Sequence, residues 1–145
     1  MSGSPETRSE GASVKSAVHK QVIERCHHHL LSMPGVTEDR PFGPEVPVFK
    51  VMGKMIAYLS PDRDPPWLTL KLDPAMGQLA RSTYASVHAG YHMNKDHWNT
   101  ILLDGTVPDT EITAWIEESY ELVVSGLTKA KRCRLQQEIE GASKT

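Results

Sequence analysis

The sequence predicts an α+β fold: a two-layer sandwich in which an antiparallel sheet of four to five strands is backed by three helices, in the order α-β-β-β-α-β-β-α. Three observations carry this expectation. Apolar residues recur at helical spacing near both ends of the chain. Two apolar runs, 48–52 and 55–59, flank Gly53-Lys54 as the arms of a hairpin flank its loop. The strands of the middle section are joined by tight turns, which makes neighbours antiparallel. With the helices gathered on one face, the other face of the sheet is left open or covered by a partner.

The first helix follows from Val14, Val18, Val22, Cys26 and Leu30, set at four-residue steps with Ile23 beside them. Ser13 is its expected cap and Pro34-Gly35 its stop. Residues 36–40 form a short first strand before the turn-rich FGPEVP. A Gly-X loop at Gly53-Lys54 suits a type II′ turn. That register pairs Phe49 with Tyr58 and Val51 with Ile56, and sets Lys50 opposite Ala57 on the other face. Leu68, Leu70 and Leu72 alternate with Thr69 and Lys71 as a half-buried strand. Asp73-Pro74 is an N-cap followed by proline at the first helical position. Met76, Leu79, Ala80 and Thr83 make that helix's inner stripe, weakened by Gly77. A strand over 98–103 comes next, then a helix after Pro108 whose core face is Ile112, Trp115, Ile116, Tyr120, Val123 and Leu127.

At 145 residues the chain suits one domain, 13–128, long enough for a core of its own. Residues 1–12 lack hydrophobics and are expected to be disordered; 129–145 read as a charged tail or frayed helix. A net charge of −2 sets no global field toward nucleic acid or membrane. Charge is nonetheless sorted: 104–121 hold six acids and no base, and 129–134 four bases and no acid, which reads as solvated helix surface. Cys26 and Cys133 lie far apart and neither has a CxxC partner, so a reducing, cytoplasmic setting is expected. There is no signal-peptide apolar region and no apolar run of membrane-spanning length, so no membrane partner is expected.

The stretch 90–104, GYHMNKDHWNTILLD, crowds donors and rings just ahead of an apolar strand. His88 and His92 have the spacing of a helical zinc pair, but Gly90 opposes a helix and the HExxH glutamate is lacking. His27, His28 and His29 would point about 100° apart on a helix and cannot grip one ion. No GxSxG elbow or phosphate loop is present. No metal, cofactor or catalytic residue is assigned, and an acid/base site of His92, Asp96 and His97 is the least favoured reading. Trp98 and Trp115 read as core positions. Lys50, Lys54, Lys71 and Lys95, with Asn94 and Asn99, supply a modest cationic patch of the kind duplex DNA requires. A rival reading uses the open sheet face, through Val48, Met52, Met55 and Leu59, to bind a protein or a small apolar ligand.

The run PGVTEDRPFGPEVPVFKVMGKMIAYLS, the following LTLKLDP, the segment GYHMNKDHWNTILLDGTVPD and the helical SYELVVSGL together resemble the MmcQ/YjbR family over about residues 15–128. Met93-Asn94-Lys95, His97-Trp98-Asn99-Thr100, and Ser119-Tyr120 with Val123-Val124 carry the family's spacing. The resemblance implies a small α+β fold described as CyaY-like. It also implies DNA binding through a double-wing arrangement; together with the lysine-bearing hairpin and the Asn/Lys/His corner, the expected function is non-enzymatic DNA binding, weak and of low specificity. Lys50, Lys54, Lys71, Asn94, Lys95, His97 and Asn99 fall on the family's characteristic positions. The triplet His27–His29 and the basic segment from Lys129 are not part of that pattern.

Overall fold

The structure, a computed structural model, describes residues 4–90, 94 and 96–143. The elements are α1 (Ser4–Ser32), β1 (Val36–Asp39), β2 (Val48–Val51), β3 (Lys54–Ser60), β4 (Trp67–Lys71), α2 (Pro74–Thr83), β5 (Val87–Ala89), β6 (Trp98–Leu102), α3 (Asp109–Ser125) and α4 (Lys129–Ser143). Six strands form one antiparallel sheet in the order β1-β2-β3-β4-β6-β5. The α+β architecture stands as the sequence implies, with one more strand and one more helix among the described residues. None of these helices is long and apolar enough to cross a membrane.

Strand register separates two faces. Phe49 opposes Ala57, Ala57 opposes Leu70, Leu59 opposes Leu68, and these continue through Ile101 and Asn99 on β6. All seven are fully buried, because this face carries the helices. The ring of His27 on α1 meets Phe49 edge-on, with centroids 5.3 Å apart. Cys26, Leu30, Ile112, Trp115, Ile116 and Val123 complete the core from the helix side.

The hairpin differs from expectation. Val51 opposes Lys54, so the loop is Met52-Gly53 rather than Gly53-Lys54. Both loop residues have positive φ (50° and 82°), which makes the turn type I′; its twist matches that of paired strands. The register then slips between Phe49 and Lys50, leaving Ile56 as the extra residue of a bulge. Ile56 and Ala57 are in consequence both buried, and Phe49 faces Ala57 instead of Tyr58.

Three helix expectations also shift. α1 starts ahead of Ser13; Val22 packs against the core, whereas Val18 is half exposed. On α2 the Asp73 cap forms as expected, with Oδ2 accepting from Ala75 N–H at 3.2 Å. Its buried residues, however, are Gly77 and Ala80, while Leu79 is exposed. A methyl at Gly77 would sit 3.1 Å from Asn99 Nδ2, so glycine there permits close approach of helix and sheet. α4 is docked through Leu135, whose Cδ1 occupies the place where a Gly35 side chain would be.

The histidine triplet disperses as helical geometry requires. His27 pairs with Glu38 of β1 at 2.7 Å, His28 is exposed, and His29 lies 3.3 Å from Glu117 of α3. Cys26, between α1 and α3, has its thiol pushed up to about 11, chiefly by burial; Arg25 lowers it and Asp109 raises it to lesser extents. Cys133 is exposed. A disulfide-exchange reagent at pH 8 should therefore titrate Cys133 rapidly in the native protein and Cys26 only on unfolding. Equal rates for both thiols would contradict the burial of Cys26.

Candidate functional site

The face opposite the helices is built by the alternate strand positions. One row across it holds Lys50, Met55, Lys71 and Trp98; the next holds Val48, Tyr58, Thr69, Thr100 and His88; a third holds Ser60, Trp67 and Leu102. Thr69 and Thr100 share a hydrogen bond of 2.9 Å at its centre. Arg63, from the β3–β4 loop, lies 4.3 Å over the Trp67 ring.

The cations gather at the hairpin end of the sheet, Lys50 and Lys71 on the open face and Lys54 opposite Val51 of the helix-covered one. Lys54 and Lys71 line one groove of about 340 Å³ with Met55, Trp98 and, from α3, Leu122 and Val123. Lys50 enters the same row one strand further on, and its ammonium group lies 3.4 Å from Asp39 Oδ2. The backbone N–H of Arg40, and then Lys50, hold the Asp39 carboxyl below its ordinary value. Asp39 therefore stays ionised and offsets part of the Lys50 charge. Lys54 is exposed and Lys71 half-buried.

The corner before β6 is held by main-chain bonds. Asn94 O accepts from Trp98 N–H at 2.9 Å and His97 N–H at 3.2 Å, and Asn94 Oδ1 accepts from Asp96 N–H at 3.0 Å. His97 O accepts from Leu72 N–H at 2.7 Å, which clamps the corner to the end of β4 beside Lys71. Gly90 N–H donates to Trp98 O at 2.8 Å. A methyl at Gly90 would lie 2.9 Å from Trp98 Cβ and 3.0 Å from its carbonyl oxygen, closer than real contacts allow. Gly90→Ala should cost about 1–3 kcal/mol in chemical denaturation, as overpacking does, and an unchanged midpoint would show that the corner yields freely.

The sequence-derived residues thus divide. Lys50, Lys54, Lys71 and Asn94 lie at the same end of the sheet. Lys95 and His92 fall outside the described residues. His97 serves the fold through its carbonyl oxygen and is half-buried. Asn99 does not belong to the surface. It is fully buried on the helix face, its Oδ1 accepts from Arg81 Nη1, and its Nδ2 donates to His97 O at 3.1 Å. The apolar patch of the rival reading also breaks up: Leu59 turns toward the helices, and Val48 is buried on the open side. Sequence reasoning passed over Trp67 and Arg63, and read Trp98, which is half-buried on the open face, as core. Strand alternation from Lys71 back to Trp67 was the signal that could have found the first.

One further residue supports the site from beneath. Ser119 of α3 is fully buried; its Oγ accepts from Lys71 N–H at 2.9 Å and donates to Ile56 O at 2.6 Å. It thereby spans β3 and β4 just past their last registered pair, Ala57 with Leu70.

This is a small α+β protein with a helix-covered face and an open, cation-edged one. The YjbR family model matches residues 31–122, and the chain belongs to the YjbR family. It is 38% identical to protein YbdF of Escherichia coli O157:H7 over 118 residues, 81% of this chain and 97% of the relative. It is 29% identical to YjbR of Escherichia coli K12 over 115 residues, 79% and 98% of the two chains. Among solved structures it resembles Deinococcus radiodurans protein DR2400, a DUF419-domain protein, with a TM-score of 0.74 and 38% identity over 79% of this chain and 87% of that one. A Pseudomonas syringae protein matches with a TM-score of 0.52 and 30% identity, over 60% and 86% of the respective chains. YbdF and YjbR are both named as uncharacterised, so these likenesses carry family and fold and no activity.

Proposed function

We propose that the protein binds DNA without catalysis, weakly and with low sequence specificity, at the hairpin end of its open sheet face. The observation that supports this is the convergence of Lys50, Lys54 and Lys71 on one end of the sheet, two of them sharing a groove beside the 94–98 corner. Ammonium groups held on neighbouring strands meet successive phosphates and release their counterions, and such contacts carry affinity without reading sequence. Asn94 and Lys95 border the same end in sequence and extend the patch in this reading. The cytosol suits it, since Cys26 and Cys133 are both thiols. The rival use of the face, for a protein or a small apolar ligand, lacks a continuous apolar patch now that Leu59 and Val48 are buried.

The test is a titration of a labelled 20-base-pair duplex followed by anisotropy at low salt. Dissociation constants are expected to be little changed between unrelated sequences, to weaken as salt rises, and to reach about 10⁻⁴ to 10⁻⁶ M at physiological salt. No binding at low salt would end the reading.

A further inference from the structure

We infer that the open sheet face is a platform for single-stranded nucleic acid, on which Trp98, Tyr58 and Trp67 receive unpaired bases while Lys71 and Lys54 hold the backbone. The inference rests on the proposed function and deepens it, because it specifies which form of nucleic acid the face is shaped for.

Three features of the face support it together. First, the rings occupy successive rows: Trp98 beside Lys71, Tyr58 opposite Thr69, and Trp67 two residues along β4. Rows two residues apart repeat at about 6.6 Å along the strands, and neighbouring strands at about 4.8 Å. Tyr58 and Trp67 are thus about 8 Å apart at their Cα positions, and Tyr58 and Trp98 about 12 Å, steps that an unstacked strand can span. Second, all three rings are half-buried and none belongs to the buried core, so each keeps surface toward solvent although the helix face was available to it. Third, the charges complement a polyanion. Lys50 and Lys71 lie on this face, Lys54 borders it, and Arg63 lies over Trp67. Among the described strand residues Asp39 is the acid on this face, and it is paired with Lys50.

A duplex would use the lysines and leave the rings idle, since its bases are stacked on one another. A single strand can use both. Every base has a π-face, so stacking on aromatic residues tolerates any sequence, and a neighbouring cation adds to it. The Thr69–Thr100 pair between the ring positions leaves the centre of the face polar, with both threonines buried.

The full chain should be titrated with labelled fifteen-residue oligothymidylate and, in parallel, with the labelled duplex. The single strand is expected to bind at least about tenfold tighter and to quench tryptophan fluorescence. Trp98→Leu and Trp67→Leu should each weaken the oligothymidylate complex about tenfold and leave the duplex complex within about twofold; Trp98→Phe, which keeps a ring, should retain binding. Paired Lys54→Ala and Lys71→Ala should weaken both complexes. Circular dichroism melts of every variant identify any that fail to fold, and Trp98→Phe and Trp67→Leu then carry the comparison. If the duplex binds and oligothymidylate binds no better, or if the leucine variants weaken both ligands equally, the platform is overturned and the DNA-binding reading stands. If neither ligand binds at low salt, both fall.

Discussion

Replacing Lys50, Lys54 and Lys71 together with alanine is expected to remove salt-sensitive duplex binding while leaving the thermal midpoint within a few degrees. Each phosphate contact contributes about −0.9 to the slope of log affinity against log salt. Three contacts give about −2.7, so the native protein should lose about fortyfold in affinity between 50 and 200 mM salt. The triple variant should show a slope near zero, and each single variant a slope smaller by about one. Effects should be ranked. Lys54 is exposed and Lys71 lies beside it in the groove, whereas Asp39 offsets part of the Lys50 charge. Lys50→Ala should therefore have the smallest effect of the three. The fold should survive, because the Lys50–Asp39 pair lies near the surface, where such pairs contribute about 0–1 kcal/mol. A triple variant that binds as tightly as the native chain, with the same slope, would place the phosphate contacts elsewhere.

Ser119→Ala should produce the largest loss of stability, about 2–5 kcal/mol. The hydroxyl satisfies two main-chain groups, Lys71 N–H and Ile56 O, in a site from which water is excluded. Removing it leaves a buried donor and a buried acceptor, each costing about 1–3 kcal/mol. For a chain of this size that corresponds to a fall of about 10 °C in melting temperature. Ser125→Ala on the same helix is the control. Its hydroxyl donates to Leu122 O at an exposed position, so the change should stay within about 0.5 kcal/mol. Because Ser119 anchors the backbone of Lys71, its loss should also weaken DNA binding without altering any charge. A change below 1 kcal/mol at Ser119 would mean that the two strands close the gap unaided.

Much of the fold was legible because its signals are periodic. Alternation in 68–72, the Asp73-Pro74 cap and the stripe from Ile112 to Val123 each report one element, and each is present. What periodicity does not report is register. Gly53 fits the first position of a type II′ loop and the second of a type I′ loop equally well; the choice falls to Met52, which accepts a positive φ, and to the bulge at Ile56. That slip decides which side of the sheet Tyr58 and Leu59 occupy: Tyr58 reaches the open face and Leu59 turns to the helices. The candidate site was half legible for a related reason. Lysines announce themselves by charge, but Asn99 looks like a surface residue until Gly77 brings α2 and Arg81 down upon it. Trp98 looks like core until its row on the open face is known. Ser119 was visible only as part of a family motif, since neither of its partners is near it in sequence.

The two outermost strands, Val36–Asp39 and Val87–Ala89, are four and three residues long. So short a rim offers too few unpaired amides to template another chain, and Glu38 and Asp39 add charge to one of the two. The sheet is in effect closed to growth sideways, and raising the protein concentration should not drive ladder-type polymerisation. Whatever meets this molecule through its β-structure has to lie across the strands rather than add to them.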